Sequence, residues 1–116
     1  MKYFKESEFE CDGVNCFQEM DSNLLVMLEE ARNISETPFN ITSSFRTEEH
    51  NEKIGGKMNS SHLRGCAVDI ACDNSSQRLL ILDALIIAGF TRIGIAKTFI
   101  HCDNDMSLPQ EVLWTY

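Results

Sequence analysis

Residues 60–69, SSHLRGCAVD, contain a histidine just before an apolar run and a carboxylate within that run. His62 leaves a polar loop, and Asp69 follows seven residues later within residues 66–72, CAVDIAC, whose small apolar side chains are typical of a buried strand. An ionised carboxylate is rarely buried without a counter-charge or a metal ion, because its desolvation is costly. The segment therefore predicts a buried strand with one functional side chain, Asp69, which needs a partner.

A second candidate strand, residues 98–103 (TFIHCD), carries another histidine. Because successive side chains of a strand point to opposite faces, His101 and Asp103 share one face while Ile100 and Cys102 share the other. If the apolar pair packs against the core, His101 and Asp103 face a cleft.

Three of these side chains form a candidate metal site: His62, Asp69 and His101. Two imidazoles and one carboxylate leave the fourth position of a tetrahedral zinc ion open, which is the pattern of a catalytic rather than a structural zinc site. A lone histidine on a strand usually has a structural role, so the hypothesis of a Zn²⁺ cofactor depends on the conjunction of the three. The alternative, a metal-free core, requires Asp69 to be neutralised in another way.

The remaining pattern predicts an α+β fold, with a small, mostly antiparallel sheet and flanking helices. Helices are expected at residues 22–32, from the N-cap Thr47 to the Gly55-Gly56 pair, and from Ser75 or Ser76 to about residue 88. Strands are expected at residues 39–45, 66–72, 92–96 and 98–103. The third helix is apolar nearly all round, which favours a position in the core, and Ala96-Lys97 is expected to form a tight hairpin.

Length and composition limit the class of protein. A chain of 116 residues has the size of one domain, and 43% hydrophobic with 24% charged residues is usual for a globular protein. No apolar run approaches the ~20 residues of a membrane helix. A net charge of −8 with scattered basic residues argues against nucleic acid as a partner. We therefore expect one domain, residues 1–116, with neither a nucleic-acid nor a membrane partner.

The N-terminus and the cysteines bear on the cellular compartment. The first residues, MKYFKESEFECDG, lack the apolar stretch and cleavage site of a secretory signal, so the protein is expected to be made in the cytoplasm without a signal peptide. Five cysteines in such a chain are expected to be reduced thiols. Cys11 and Cys16 could instead form a local disulfide or clip.

Several segments together resemble a known family. The pattern SxHxxGxAxD is present unbroken as Ser60, His62, Gly65, Ala67 and Asp69. Residues 41–56 (ITSSFRTEEHNEKIGG) and residues 92–103 (RIGIAKTFIHCD), followed by VLWTY at the end, add to it. These segments resemble the zinc D-Ala-D-Ala carboxypeptidases of the peptidase M15 family, which are grouped with phage endolysin peptidases. The resemblance covers roughly residues 20–116 and implies a hedgehog/DD-peptidase-like fold.

The resemblance implies roles for individual residues. It makes His62, Asp69 and His101 the zinc ligands. Arg46 resembles the family arginine that meets a substrate carboxylate or carbonyl, a role that suits a planar, permanently charged guanidinium. Gly65 most simply supplies a turn that other residues would resist.

The general base is where the sequence departs from the family. Many relatives have a glutamate or a histidine shortly before the last ligand, whereas residues 98–100 here are Thr, Phe and Ile. Asp103, about 7 Å along the strand from His101, is the candidate for the base or for a group that orients His101. His50 and Ser60 are candidate substrate contacts, with a structural role as the alternative for both.

The implied function is that of a zinc metallopeptidase that hydrolyses peptidoglycan stem peptides. The leading hypothesis is a D-Ala-D-Ala carboxypeptidase, which would bind the free terminal carboxylate through Arg46. An endopeptidase that cuts a bond such as L-Ala-D-Glu is an alternative, because a fold does not decide the substrate. A third hypothesis is a non-catalytic, zinc-stabilised domain that binds a wall component. A monomer is expected, and the absence of a signal peptide favours a phage lysis or virion-associated protein that acts on the cell wall.

Overall fold

The computed structural model describes residues 1–116 and contains a five-stranded sheet that shares one hydrophobic core with two packed helices. The helices are α1 (Ser22–Ser35), α2 (Glu48–Lys53) and α3 (Ser75–Ile87). The strands are β1 (Glu10–Cys11), β2 (Val14–Asn15), β3 (Ile41–Ser43), β4 (Ala67–Ala71), β5 (Arg92–Ile95), β6 (Phe99–Asp103) and β7 (Val112–Thr115). Short 3-10 helices occupy Glu6–Glu8, Phe17–Glu19 and Ser61–Arg64. The predicted α+β class is confirmed.

The sheet has the strand order β3-β4-β6-β5-β7. Its neighbouring strands are antiparallel except β5 and β7, which run parallel, so the prediction of a mostly antiparallel sheet is confirmed. Strands β1 and β2 form a separate two-stranded hairpin. The sequence analysis identified β3 to β6 but neither this hairpin nor β7. The two strands of the hairpin have two residues each, which is too short for a periodic signal.

The helix boundaries differ from the prediction in two places. Helix α1 continues three residues beyond its predicted end and stops where Glu36 adopts a left-handed conformation with φ of 54°. Helix α3 is capped by Asn74, whose side chain accepts a hydrogen bond from the backbone N–H of Gln77, and not by Ser75 or Ser76. Asparagine is at least as good an N-cap as serine. None of the helices has both the length and the apolar character that crossing a membrane requires.

The core lies between α1, α3 and one face of the sheet. Ile100 and Cys102 of β6 are fully buried in it, as predicted for that face of the strand. Helix α3 was expected to be a core helix, but four of its apolar residues are exposed: Leu79, Leu80, Ile86 and Ile87. A helix that packs against α1 and the sheet buries only one side, so the other side of α3 faces solvent.

The turn between β5 and β6 is shifted by one residue from the prediction. The backbone N–H of Ala96 donates to the carbonyl of Phe99 at 2.9 Å, so Lys97 and Thr98 occupy the turn. Ala96 still belongs to the paired part of the hairpin. The short connection sets the register in which β6 presents its side chains to β4 and β5.

Truncating a core residue of α1 tests this packing. Leu28 is fully buried, and Leu28→Ala should lower the free energy of unfolding by about 2–5 kcal/mol, because it removes buried methyl groups and leaves a cavity. Val26→Ala, at a position 67% exposed on the same helix, is the matched control and should cost far less. Urea denaturation followed by circular dichroism measures both, and equal losses would contradict the assigned core.

Candidate metal centre

His62 is presented by a short 3-10 helix that begins after Ser60. The hydroxyl oxygen of Ser60 accepts a hydrogen bond from the backbone N–H of His62 at 3.2 Å, which caps the helix. The helix ends at Gly65 with φ of 69°, and a Cβ there would lie 2.0 Å from the carbonyl oxygen of Glu19. Only glycine meets both conditions without strain, so the predicted turn is confirmed. The chain then enters β4 directly.

The hydrogen bond of His62 fixes which ring nitrogen is free. Its Nδ1 lies 2.7 Å from the backbone carbonyl oxygen of Ser44, which can only accept a hydrogen bond. Nδ1 therefore holds a proton, and Nε2 lies 3.3 Å from Oδ1 of Asp69, where it can donate a hydrogen bond to the carboxylate or, once it has released that proton, offer its lone pair to a metal. A neutral imidazole with one nitrogen so held is suited to bind a metal through the other.

The pairing of β4 with β6 brings the second histidine to the same carboxylate. Asp69 and His101 are direct partners in the strand register, and Nδ1 of His101 lies 3.0 Å from Oδ1 of Asp69. One ligand atom from each of His62, Asp69 and His101 lies within 4.8 Å of the others, and all three residues are buried. The structure thus brings together the three residues that the sequence analysis singled out.

Burial and hydrogen bonding have opposite effects on the pKa values of Asp69 and His101. Burial alone would raise the pKa of Asp69, but hydrogen bonds from His101 and His62 outweigh it and hold that pKa well below its usual range. Burial alone would lower the pKa of His101, but its hydrogen bonds to Asp103 and Asp69 outweigh it and raise that pKa. Asp69 therefore stays ionised beside its two histidines.

The donor set fits a zinc ion. Neighbouring ligand atoms around a tetrahedral zinc with bonds of about 2.0–2.1 Å lie about 3.3 Å apart. The two distances from Oδ1 of Asp69, 3.3 Å to His62 and 3.0 Å to His101, are close to this value. Two imidazole nitrogens and one carboxylate oxygen are also ligand types that zinc prefers.

Asp103 lies behind His101, on the side away from Asp69. Its Oδ2 is 2.7 Å from Nε2 of His101, while its Oδ1 accepts hydrogen bonds from Nε of Arg92 at 2.8 Å and from the backbone N–H of Asp105 at 3.1 Å. Asp103 is 1% exposed. Both carboxylate oxygens are thus engaged, which favours the orienting role of the two that the sequence left open for this residue.

Arg46 is held against the cluster by three side chains. Its Nε donates to Ser43 at 3.0 Å, Nη1 to Asn51 at 3.2 Å and Nη2 to Oδ2 of Asp69 at 3.4 Å. Asn51 is buried and also donates to the carbonyl of Lys57 at 2.7 Å. The sequence analysis missed Asn51. The only available signal was its position, one turn after the N-cap of a helix that begins next to Arg46.

The three candidate ligands line a cleft of about 550 Å³. The cleft is also lined by the cations Arg46, Lys57 and Arg92 and by the aromatic residues Phe99, Trp114 and Tyr116. The acids in its lining are Asp69 and Asp103. The cleft therefore offers positive charge and apolar walls around the candidate metal centre.

Of the two other candidate substrate contacts, Ser60 lines this cleft and His50 does not. His50 belongs to a separate cavity of about 260 Å³ between the N-terminal hairpin and β3, which Arg46 also borders. The reason lies in helix α2, where the neighbouring residue Asn51 turns inward towards Arg46. The geometry gives no contact between His50 and the three candidate ligands.

A third buried carboxylate, Asp105, connects the helix of His62 to the end of β6. It accepts hydrogen bonds from the hydroxyls of Ser61 and Ser107 and forms an ion pair with Arg64. Burial alone would raise the pKa of Asp105, but these hydrogen bonds outweigh it and hold that pKa well below its usual range. The sequence analysis missed this residue, because its partners Ser61 and Arg64 lie more than forty positions away.

The cysteines supply no metal ligand. All five are free, so Cys11 and Cys16 are not joined by a disulfide. Cys66 and Cys102 lie near the cluster, but burial raises the pKa of Cys66 to about 11 and that of Cys102 well above its usual value. The ligand atoms that converge at the candidate site come from His62, Asp69 and His101, and none comes from a cysteine.

Comparison with known proteins adds one finding. A family model described as Peptidase M15 matches residues 2–103. The match includes His62, Asp69 and His101 and every strand except β7. No curated protein sequence matches the chain.

Replacing Asp105 tests the contact that fastens the His62 helix. Asp105→Asn should lower the free energy of unfolding at pH 7 by roughly 1–2 kcal/mol, since it removes charge-assisted hydrogen bonds. The folded-state pKa is depressed, so this stabilisation is complete above the unfolded pKa of about 3.9 and is lost as the pH falls through the folded value. The stability difference between wild type and variant should therefore begin to shrink as the pH falls below about 4 in urea denaturation.

Asp73→Asn, at an exposed carboxylate, is the control for this experiment and should leave stability nearly unchanged. A difference between wild type and Asp105→Asn that stays constant from pH 7 to pH 3 would contradict the ionic role of Asp105.

Proposed function

The chain belongs to the peptidase M15 family, and we therefore propose that it is a zinc peptidase that hydrolyses the stem peptides of bacterial peptidoglycan. The observation that carries the proposal is the convergence of His62, Asp69 and His101 on one point at the floor of a cleft. His62 would bind the metal through Nε2, His101 through Nδ1 and Asp69 through Oδ1. When bound, zinc supplies an activated water molecule and polarises the scissile carbonyl.

The protein groups behind the ligands set their protonation. The carbonyl of Ser44 accepts a hydrogen bond from Nδ1–H of His62, and the carboxylate of Asp103 accepts one from Nε2–H of His101. In each ring the other nitrogen is left for the metal. Asp103 then acts as a positioning residue, and Arg92 in turn holds Asp103.

Arg46 is the proposed receptor for the substrate. A guanidinium has five N–H groups, and three of them donate to Ser43, Asn51 and Asp69, so two remain for a ligand. A fixed guanidinium beside the metal centre suits a terminal carboxylate, which supports the D-Ala-D-Ala carboxypeptidase type. An endopeptidase would use the same N–H groups for a backbone carbonyl of an extended stem.

A non-catalytic, zinc-stabilised wall-binding domain is the second candidate. This candidate is favoured because the cleft has no free carboxylate to act as a general base. The two acids in its lining, Asp69 and Asp103, both have partners, and residues 98–100 include no acidic or basic side chain. A function in phage lysis or in a virion stays a prediction, as does the monomeric state.

Mass spectrometry distinguishes these functions. We expect zinc-loaded protein to release a product from purified peptidoglycan or from a synthetic stem pentapeptide. Chelation should abolish the product and added zinc should restore it, because the ligands alone supply no activated water. His62→Ala, which removes one ligand, is the negative control. Loss of a single terminal alanine indicates a carboxypeptidase, and release of longer pieces indicates an endopeptidase.

The negative outcome is equally informative. Bound zinc without any product from either substrate would contradict the peptidase and support the wall-binding domain. Retention of the protein on insoluble peptidoglycan would then be the measurement that supports the second candidate.

The receptor role of Arg46 gives a separate prediction. Arg46→Lys should raise KM for a pentapeptide with a free terminal carboxylate by roughly tenfold, because a lysine ammonium cannot bridge the same partners as a guanidinium. The zinc content should remain that of the wild type. Steady-state kinetics with the free peptide and its C-terminal amide measure this difference.

Lys53→Ala removes a cation from the exposed end of helix α2 and is the control. If the wild type cleaves the acid and the amide equally well and Arg46→Lys leaves KM unchanged, Arg46 is not the carboxylate receptor.

A further inference from the structure

Trp114 lies across the sheet from His101, and the residue between them is a glycine. In the strand register Gly94 of β5 is paired with His101 of β6 on one side and with Trp114 of β7 on the other. A Cβ at Gly94 would lie 2.5 Å from Nε1 of the indole. The indole therefore occupies the space that any other side chain at position 94 would take.

The position of the indole brings it against the imidazole. The ring centroids of Trp114 and His101 are 5.5 Å apart with an interplanar angle of 48°, within the range of a stabilising aromatic contact. The guanidinium of Arg92 lies 5.1 Å from the indole centroid, which is a cation–π distance. Arg92 also binds Asp103, and Asp103 binds His101. These four residues form a closed ring of contacts on three strands.

We propose that Trp114 is a positioning residue for His101. The indole can lie against the imidazole because Gly94, between them, has no side chain. Asp103 holds a proton on Nε2 of His101, but once Nδ1 binds a metal in place of its own proton, this single remaining hydrogen bond does not fix the tilt of the ring. The indole closes the side from which the imidazole could tilt into the cleft. His101 is thereby confined to the orientation that directs Nδ1 to Asp69.

This inference depends on the metal centre of the proposed function but not on hydrolysis. Partners of a ligating histidine typically change metal affinity by about 10–100-fold when they are mutated. Trp114→Ala should therefore weaken zinc binding by about tenfold. Gly94→Ala should weaken it similarly, because the added methyl group displaces the indole. Trp114→Phe, which keeps an aromatic ring, should bind zinc more tightly than Trp114→Ala.

The test measures zinc affinity by competition with a chromogenic chelator, well below the unfolding temperature of each variant. Leu113→Ala, at an exposed position on the same strand, is the matched control and should bind like the wild type. Cobalt substitution provides a second readout, since the visible spectrum reports ligand geometry and should change in Trp114→Ala and Gly94→Ala. Trp114 is the only tryptophan, so its fluorescence should also respond to zinc in the wild type.

The outcomes separate this inference from the function on which it depends. Wild-type affinity and an unchanged cobalt spectrum in folded Trp114→Ala would overturn the role of Trp114 and leave the metal centre standing. If Trp114→Ala does not fold, Gly94→Ala decides in the same way. Failure of the wild type to bind zinc at all would overturn both. The test compares zinc affinities and cobalt spectra, so it does not depend on whether any variant hydrolyses a substrate.

Discussion

The candidate site depends on the burial of one carboxylate, Asp69, within the sheet. The pairing of β4 with β6 places His101 directly opposite it, and the same carboxylate is approached by His62 from its 3-10 helix and by Arg46 from the loop between β3 and α2. A lone buried charge would be costly, and these three donors offset the desolvation of the carboxylate. The contacts that stabilise Asp69 also direct three ligand atoms at a common point. The backbone N–H of Arg46 donates to the carbonyl of His62, so these two segments are joined to each other as well.

Each histidine of the cluster is oriented from behind by a group that does not itself reach the metal position. A backbone carbonyl at Ser44 serves His62, and the carboxylate of Asp103 serves His101. Backbone and side-chain acceptors have the same effect, since either holds a proton on one ring nitrogen, so that the other nitrogen is the one that can release its proton and bind a metal. Ligands that are already oriented lose little conformational freedom when a metal binds, which is a general requirement of a tight site.

The charge of the cleft differs from that of the whole chain. The net charge is −8, yet the cleft is lined by three cations, Arg46, Lys57 and Arg92, and its two acids are paired. At physiological ionic strength the field of distant surface carboxylates is largely screened within about 8 Å. An anionic stem peptide would therefore respond to the local cations of the cleft and not to the overall charge.

The sequence by itself determined the three candidate ligands and the strands that carry two of them, Asp69 and His101. A local pattern contains His62 and Asp69, and the alternation of side chains placed His101 and Asp103 on one face of a strand. Only the tertiary structure decided the supporting groups. Asn51 meets Arg46 through a turn of helix, Asp105 meets Ser61 across 44 positions, and Trp114 reaches His101 on a strand that was not predicted. Periodicity reports which face of an element is buried, whereas strand register and loop closure, which set these contacts, depend on residues far apart in the chain.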